Sequence, residues 1–273
     1  MKTLYMSEIV KIYRPVGSTH NGKDTSRELY SLWEENGLCK IEDSPDDFAW
    51  FNQPGEILLY DYPRLDDREI PQFSYGLFGN TVPKQERCFP WTFWARRPRL
   101  LEHYREKGVL PLDERNTKSV FLGKIENEVQ YDKRNTQDWS TAGLDLFLCP
   151  VDPFCSQQHQ YTQEQYLDII FHSRFGLCLP GYGPKCNREI ELLGAGTVPI
   201  FTPGVDNTYH EPLIEDVHFI SVETPQQVKE KIDSITEQQW NDMHLAGQEW
   251  YNRNASINGS FNTTLAITTP LIK

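Results

Sequence analysis

The most constraining feature of this chain is residues 175–201, which read FGLCLPGYGPKCNREIELLGAGTVPIF. An apolar run opens the segment and stops at Pro180 and Gly181, apolar side chains recur with helical spacing over 187–195, and a second apolar run ends at Phe201. This order predicts a strand, a loop, a short helix and a second strand. Such a unit belongs to a parallel α/β sheet and excludes an all-helical or all-β fold.

The loop and the start of the predicted helix carry side chains that suit an anion. Lys185, Asn187 and Arg188 fall at the first turn, where unpaired backbone N–H groups and the positive end of the helix dipole attract negative charge. Glu191 follows on the same helix face as Arg188. A cation near the phosphates and a carboxylate near the ribose would clamp a nucleoside diphosphate. From spacing alone, an ordinary surface Arg–Glu ion pair has about equal weight.

Predicted strands alternate with predicted helices along the whole chain, which favours parallel sheets in two doubly wound α/β domains. The predicted strands cover 8–16, 56–60, 73–78, 119–124, 144–150, 175–179, 198–201 and 217–222. The predicted helices cover 26–35, 99–107, 161–173, 187–195, 225–235 and 236–252. We therefore predict an N-terminal domain over 1–112, a second domain over 113–235, and a C-terminal helix and tail over 236–273. Sheets of this kind bind ligands at the carboxyl ends of their strands.

The composition of the chain limits the kinds of partner and the cellular location that we expect. The net charge of −12 argues against nucleic acid or an anionic membrane as the main partner. No apolar run is long enough to span a membrane, and Glu8 and Lys11 interrupt the N-terminal apolar segment, so we expect a soluble cytoplasmic protein. The six cysteines lack C-x-x-C spacing, which predicts unpaired thiols and no zinc site. The many aromatic residues suit a sugar-binding cleft, but we expect most of them in the core.

A second candidate cluster follows the predicted strand 119–124. Lys124 comes directly after Gly123 at the expected carboxyl edge of the sheet, and Arg134 lies a short distance further along. Both could reach a diphosphate. The alternative is a solvated charged loop, which the sequence by itself favours.

Two loops in the first half supply candidate general bases. The loop 17–25 places His20 and Asp24 after the first predicted strand, and the acidic loop 61–67 places Asp61 and Asp66 after the strand 56–60. A base must lie within hydrogen-bond reach of the proton it removes. Each of these residues also suits a turn or a helix cap.

Several motifs are missing from the sequence. It contains no phosphate-loop motif, no G-x-G-x-x-G after a strand, no G-x-S-x-G elbow and no D-x-D pair. We therefore expect neither a metal ion nor a bound cofactor. A leaving diphosphate would then be neutralised by protein cations and a helix N-terminus.

The order Arg188-x-x-Glu191, followed by Gly196-x-Val198-Pro199-Ile200, resembles the sugar-donor motif of exostosin-like glycosyltransferases. The preceding FGLCLPG is similar to the strand and loop that open that motif. The resemblance covers about residues 118–235. In its short form the chain is similar to the glycosyltransferases of large algal viruses, including a chlorovirus xylosyltransferase.

The resemblance extends to neighbouring positions and fails at two. Asp206 is similar to a downstream acidic position of the family, and 121–124 with Arg134 resembles its earlier diphosphate-binding region. Lys185 and Cys186 stand where the family has small residues.

The resemblance implies a GT-B fold, in which two Rossmann-like domains face each other across a cleft. It implies that the C-terminal domain binds the nucleotide-sugar, the N-terminal domain binds the acceptor, and the last helix crosses back to the first domain. The implied reaction is an inverting, metal-independent transfer of a sugar, with xylose as the borrowed guess. The donor would be a UDP-sugar, and the acceptor a hydroxyl of an oligosaccharide or glycoprotein.

The resemblance also implies roles for individual residues. Glu191 would hold the ribose. The diphosphate would be bound by Lys124, Arg134, Lys185 and Arg188. Gly181, Tyr182 and Asn187 complete the implied donor-binding set. For the catalytic base, Asp66 is the first choice, ahead of Asp61, with His20 or Asp24 next.

Two other hypotheses remain open from the sequence. One is a non-catalytic module of the same fold that binds a carbohydrate or a nucleotide. The other is a different α/β enzyme, such as a sugar-nucleotide epimerase or a phosphatase, which the missing dinucleotide and phosphate-loop motifs disfavour.

Overall fold

The computed structural model describes residues 12–15, 26–39, 41–44, 57–60, 75–79, 86–152 and 159–271. The chain divides into two compact units. The first contains Met1–Arg99, Thr208–Pro212 and Asn252–Lys273, and the second contains Leu100–Asn207 and Leu213–Tyr251. This division differs from the predicted boundaries. The first break falls at residue 99 rather than 112, and most of the helix predicted over 236–252 belongs to the second unit.

Helices and strands alternate along the described part of the chain. The strands are β1 Ile12–Pro15, β2 Ile41–Ser44, β3 Ile57–Tyr60, β4 Tyr75–Phe78, β5 Cys88–Pro90, β6 Thr117–Leu122, β7 Leu146–Leu148, β8 Ser173–Cys178, β9 Val198–Phe201 and β10 Ile220–Ser221. The helices are α1 Ser26–Glu35, α2 Pro98–Glu106, α3 Glu128–Arg134, α4 Gln163–Phe171, α5 Asn187–Ala195, α6 Pro225–Ser234, α7 Glu237–Asn254 and α8 Ile257–Thr268. Among the described residues, no helix combines the length and the apolar character that crossing a membrane requires.

The first unit contains parallel strands and a core rich in tryptophan. β1 pairs with β2, and β3, β4 and β5 form a second parallel sheet. Trp33 packs edge-on against Trp91 and Phe261. Both indoles are fully buried and donate hydrogen bonds, from Trp33 to Ser260 Oγ at 3.1 Å and from Trp91 to Thr264 Oγ1 at 2.8 Å. These tryptophans therefore serve the core, as expected from the sequence.

Helix α8 lies in the region predicted as the C-terminal tail. Its buried face carries Ser260, Thr264 and Thr268, which hydropathy assigns to solvent. The hydroxyl of Thr264 donates to the Ser260 carbonyl at 2.7 Å, and that of Thr268 donates to the Thr264 carbonyl at 2.8 Å. Because these hydroxyls are satisfied within the helix, they can be buried without the cost of an unpaired polar group.

The second unit is a doubly wound sheet of five parallel strands in the order β10-β9-β8-β6-β7. The chain moves from β6 outward to β7, and then returns to place β8 on the other side of β6. The strand order therefore reverses between β6 and β8. In sheets of this class ligands bind at the carboxyl ends of the strands beside that switch point.

The predicted elements of the second unit are close to those observed, with two corrections. Helix α4 begins with a capping box, in which Thr162 Oγ1 accepts from the Gln165 N–H and Gln165 Oε1 accepts from the Thr162 N–H. Ser173, predicted as the end of this helix, begins β8 instead. The strand predicted over 217–222 is reduced to β10. The core of this sheet is built from Phe121, Trp139, Ala142, Phe175, Leu177, Leu179, Val198, Ile200, Ile220, Val222, Val228, Ile232, Trp240 and Met243.

Candidate functional site

The candidate site lies where β6 and β8 end side by side in the second unit. The loop that begins at Gly123 follows β6, and residues 179–186 connect β8 to helix α5. Helix α5 begins at Asn187, as predicted. The geometry therefore brings three features to one sheet edge: the switch point, a helix N-terminus, and most of the polar residues singled out in the sequence.

Arg188 reaches from the first turn of α5 to the end of β6. Its Nη2 donates to the Leu122 carbonyl at 2.7 Å, and its guanidinium carbon lies 4.3 Å from the centre of the Phe121 ring. Its Nε and Nη1 atoms are buried and have no hydrogen-bond partner among the described residues. A buried unpaired donor costs about 1–3 kcal/mol, and more when the group is charged. A side chain that carries this cost at a switch point is well suited to an anionic ligand.

Gly123 makes room for this arrangement. A Cβ at this position would lie 2.7 Å from the Phe121 ring and 3.1 Å from Arg188 Nη2. The first distance is shorter than van der Waals contact allows, so any side chain would displace the ring on which the guanidinium rests. The glycine thus allows the arginine to lie flat against the end of β6.

Glu191 is buried one turn further along α5, with 4% of its surface exposed. Its Oε2 accepts a hydrogen bond of 2.8 Å from the phenol of Tyr166 in helix α4. Burial, reinforced by the negative charge of Glu191, raises the pKa of Tyr166 well above its ordinary value. The phenol therefore remains protonated and acts as the donor.

Arg134 donates hydrogen bonds to backbone carbonyls of both loops at the site. Its Nε donates to the Pro180 carbonyl at 2.8 Å, and its Nη1 donates to the Lys124 carbonyl at 2.5 Å. Burial lowers the pKa of this guanidinium, with Arg188 contributing in the same direction. The side chain ties the loop after β6 to the loop after β8, so it shapes the site through the backbone.

The two predicted lysines are engaged in ion pairs inside the protein. Lys124 Nζ lies 2.9 Å from Asp152 Oδ2, and both side chains are buried. Lys185 Nζ lies 3.6 Å from Asp206 Oδ1, and burial lowers the pKa of Lys185 to about 8. The sequence suggested four cations available to a diphosphate. The contacts show two paired lysines and one arginine bonded to backbone carbonyls. Arg188 has two donor atoms that no other described residue pairs.

The remaining predicted residues line the loop and the helix start. A Cβ on Gly181 would lie 2.7 Å from Cys186 Sγ, so a larger residue here would have to displace that thiol. Tyr182 is 43% exposed, and its carbonyl accepts from Lys133 Nζ at 2.7 Å. Asn187 is half-buried at the first position of α5.

Glu189 is a site residue that the sequence reasoning missed. It is fully buried, its Oε2 accepts from the Cys186 N–H at 2.5 Å, and its Oε1 has no hydrogen-bond partner among the described residues. Burial raises the pKa of Glu189 to about 7, against the opposing charge of Arg188. An acidic residue three positions after a helix cap is a recognisable capping signal, which could have identified it.

The raised pKa of Glu189 predicts a pH-dependent effect on stability. A carboxyl whose pKa is higher in the folded state stabilises the protein at low pH, and this contribution is lost as the pH rises from about 4.5 to about 7. In Glu189→Gln the side-chain amide oxygen can still accept from the Cys186 N–H, and the side chain does not ionise. We therefore expect Glu189→Gln to gain about 2 kcal/mol relative to the unmodified protein between pH 5 and pH 8.

Urea unfolding at the two pH values, followed by tryptophan fluorescence, measures this difference. Glu128→Gln, at an exposed position of α3, is the matched control and should show the same offset at both pH values. If the difference in unfolding free energy between Glu189→Gln and the unmodified protein were the same at both pH values, the prediction would be contradicted.

The four candidate catalytic bases lie outside the described residues: His20, Asp24, Asp61 and Asp66. Within the described ranges, no group of His, Cys, Asp and Glu side chains is arranged to hold a metal ion. None of the described cysteines forms a disulfide.

Comparison with known proteins identifies the fold. No protein-family model matches the sequence, and the curated proteins give no significant match. Among solved structures, the chain is similar to Anabaena HepE in complex with UDP, with a TM-score of 0.51 and 9% identity over 96% of this chain and 99% of that one. A glycosyltransferase from Rickettsia africae gives 0.49, with 11% identity over 94% and 84% of the two chains. An α1,3-fucosyltransferase gives 0.47, with 12% identity over 97% and 89%.

The similarity to HepE shows the architecture. The chain has an α/β fold of the GT-B type, and its five-stranded parallel sheet is Rossmann-like. The predicted fold class is therefore confirmed. At 9% identity the similarity shows the fold alone.

Proposed function

We propose that this protein is a glycosyltransferase that moves a sugar from a UDP-linked donor to a hydroxyl group of a glycan acceptor. The observation that carries the proposal concerns Arg188, whose buried Nε and Nη1 atoms have no hydrogen-bond partner among the described residues and lie at the switch point, beside the start of α5. Two guanidinium donors can each give a charge-assisted hydrogen bond to an oxygen of the diphosphate. A neutral ligand would not repay the burial of the charge.

The same geometry suits the chemistry of glycosyl transfer. A base removes the proton of the acceptor hydroxyl, whose oxygen bonds to the anomeric carbon. The bond from that carbon to the diphosphate oxygen breaks, and its electron pair leaves with UDP. Arg188 and the backbone N–H groups at the start of α5 would stabilise the negative charge that develops on the leaving diphosphate. Asp66 remains the first proposed base, followed by Asp61, His20 and Asp24.

Glu191 completes the proposed donor site. It lies three residues after Arg188 on the same helix, so the Cβ atoms are about 5–6 Å apart. This separation is comparable with the distance from a phosphate to the ribose it esterifies. A carboxylate accepts hydrogen bonds from the hydroxyls of a ribose, which is its common role in nucleotide sites of this fold class.

The nucleotide base, the sugar, the stereochemistry and the metal requirement are proposed on separate grounds. Uridine is proposed because HepE, which shares the fold, was crystallised with UDP. Xylose, inversion at the anomeric carbon and independence from metal ions are proposed from the resemblance to exostosin-like glycosyltransferases. Each is open to direct test, by the choice of sugar, by the configuration of the product, and by activity in EDTA.

A donor screen tests the proposal. The protein is incubated with UDP-, GDP- and dTDP-linked sugars, UDP-xylose included, and the released nucleoside diphosphate is measured. We expect release from at least one UDP-sugar, and faster release with a suitable acceptor. Binding of UDP without turnover of any sugar would favour the non-catalytic module. The absence of both binding and turnover with every nucleotide would overturn the proposal.

A further inference from the structure

Two consecutive residues in the first turn of α5 hold buried polar atoms that the fold leaves incompletely bonded. Glu189 is 0% exposed, and its Oε2 accepts from the Cys186 N–H. Its Oε1 has no hydrogen-bond partner in the part of the chain that the structure describes, and the same holds for Arg188 Nε and Nη1. A carboxyl group and a guanidinium are therefore buried side by side at the candidate site.

The Glu189 carboxyl interacts electrostatically with groups from several elements. These are Arg188 and Glu191 on α5, Arg134 on α3, Cys178 on β8, and Cys186 in the loop before α5. The two arginines favour the carboxylate, whereas burial and Glu191 favour the neutral carboxyl. Burial dominates and raises the pKa of Glu189 to about 7, so both forms are populated near neutral pH.

We infer that Glu189 takes up a proton from solvent when a diphosphate binds at Arg188, so that the occupied site holds a neutral carboxyl. This inference rests on the proposed function. The diphosphate brings negative charge close to the carboxyl and engages the arginine charge that otherwise stabilises the carboxylate. The proton forms an O–H bond on Glu189, and no bond of the nucleotide breaks. Glu189 thus controls the affinity through charge, without contact with the nucleotide.

Proton uptake predicts a gain of affinity when Glu189 is replaced by glutamine. With a pKa of about 7, about one tenth of the molecules hold the neutral carboxyl at pH 8, and the apparent affinity for UDP is reduced by that fraction. Glu189→Gln resembles the neutral carboxyl at every pH. We expect it to bind UDP ~3–10-fold more tightly than the unmodified protein at pH 8, and within ~2-fold of it at pH 6.

Calorimetry measures the affinity and the proton uptake together. Titrations with UDP at pH 8 in Tris and in HEPES, whose ionisation enthalpies differ, give the number of protons taken up per UDP bound. UDP itself is fully ionised at this pH, since the second pKa of a terminal phosphate is about 6. We expect the unmodified protein to take up at least ~0.5 proton more than Glu189→Gln. A merely structural role of Glu189 would not produce this difference.

Two controls assign the proton to Glu189. Glu128→Gln, at an exposed position of α3, should keep the proton uptake of the unmodified protein. Lys185, whose pKa burial lowers to about 8, also titrates in this range, but it is present in all three proteins and its contribution cancels in the comparison. If Glu189→Gln does not fold, the infrared difference spectrum of the unmodified protein with and without UDP at pH 8 should show a new carbonyl band of a protonated carboxyl.

The outcomes distinguish the two proposals. If the unmodified protein does not bind UDP, the proposed function fails and this inference fails with it. If UDP binds and Glu189→Gln takes up as many protons as the unmodified protein, or the infrared band is absent, this inference alone is overturned. Lower proton uptake and tighter binding in Glu189→Gln at pH 8, with the Glu128 control unchanged, support it.

Discussion

Replacing Arg188 with glutamine should weaken UDP binding by at least ~100-fold, because two charge-assisted hydrogen bonds to the diphosphate are lost. Arg188 Nε and Nη1 are the atoms expected to make these bonds. Charge-assisted bonds are worth about 1.5–3 kcal/mol each, so the loss is about 3–6 kcal/mol in binding free energy. Arg188→Lys keeps the charge but not the planar fork, and we expect its affinity to lie between those of the other two proteins.

The substitution Arg188→Gln should not unfold the protein. Arg188 keeps two donors buried without a hydrogen-bond partner among the described residues, which costs stability before a ligand binds. Glutamine retains an amide that can donate to the Leu122 carbonyl and removes the buried charge. We expect the unfolding midpoint to stay the same or to rise, as is common when a residue strained for function is replaced. If Arg188 served only the fold, its replacement by glutamine would instead clearly lower the free energy of unfolding.

The matched control is Arg174→Gln. Arg174 lies near the amino end of β8, at the opposite edge of the same sheet from the candidate site. Arg174→Gln removes the same charge as Arg188→Gln, so a general electrostatic effect on UDP binding would be equal in the two variants. We expect its affinity to remain within about threefold of the unmodified protein, and calorimetry with all three variants measures the difference. Equal weakening by Arg174→Gln and Arg188→Gln would contradict the assignment.

Replacing Arg115 with lysine should cost about 3–5 kcal/mol of unfolding free energy. Arg115 is 1% exposed, and burial lowers its pKa to about 9. Its guanidinium donates to the carbonyls of Leu110 at 3.0 Å, Ser173 at 2.6 Å and Ala195 at 2.8 Å. It also donates to Thr197 Oγ1 at 3.0 Å and lies 5.2 Å from the Trp240 ring.

A lysine cannot replace these contacts. Its single ammonium has three donors around one point, whereas the guanidinium joins four acceptors that are spread over several elements. The acceptors left unpaired each carry a desolvation cost. Since a folded protein is stable by only about 5–15 kcal/mol, this change threatens the fold of the second unit.

Urea unfolding measures the effect of Arg115→Lys. The control is Arg253→Lys, in an exposed ion pair with Glu211 at 2.5 Å, which should change stability by less than about 0.5 kcal/mol. If Arg115→Lys lowered the free energy of unfolding by no more than this control does, the four hydrogen bonds of Arg115 would not be important for stability.

The sequence predicts the backbone of the site because the signals there are local. The spacing of apolar residues over 187–195, with Gly196 after them, predicts α5 with its observed limits. The apolar run at 198–201 predicts β9, and Thr162 with Gln165 predicts the cap of α4. The motif Arg188-x-x-Glu191 places two side chains on one helix face.

The partners of these side chains could not be predicted, because they come from distant parts of the chain. Lys124 pairs with Asp152, and Lys185 pairs with Asp206, so two of the expected phosphate ligands are engaged with carboxylates. Tyr166 reaches Glu191 from another helix. Arg115 stands in a polar stretch with no motif, and only the folded sheet shows that it is buried.

Helix α8 shows a second limit of the sequence pattern. Its threonines read as a polar tail, yet their hydroxyls bond to carbonyls one turn back and to the Trp91 indole. Hydropathy counts a hydroxyl as polar whether or not its hydrogen bond is satisfied. A buried face built from Ser and Thr therefore escapes a periodicity analysis that looks for apolar residues.

The most direct test of the central claim is a crystal structure of the protein with UDP bound. We predict that the diphosphate lies beside the start of α5, with its oxygens within hydrogen-bond distance of Arg188 Nε and Nη1, and that the ribose lies next to Glu191. A UDP molecule bound elsewhere in the second unit, with Arg188 Nε and Nη1 still unpaired, would contradict the account.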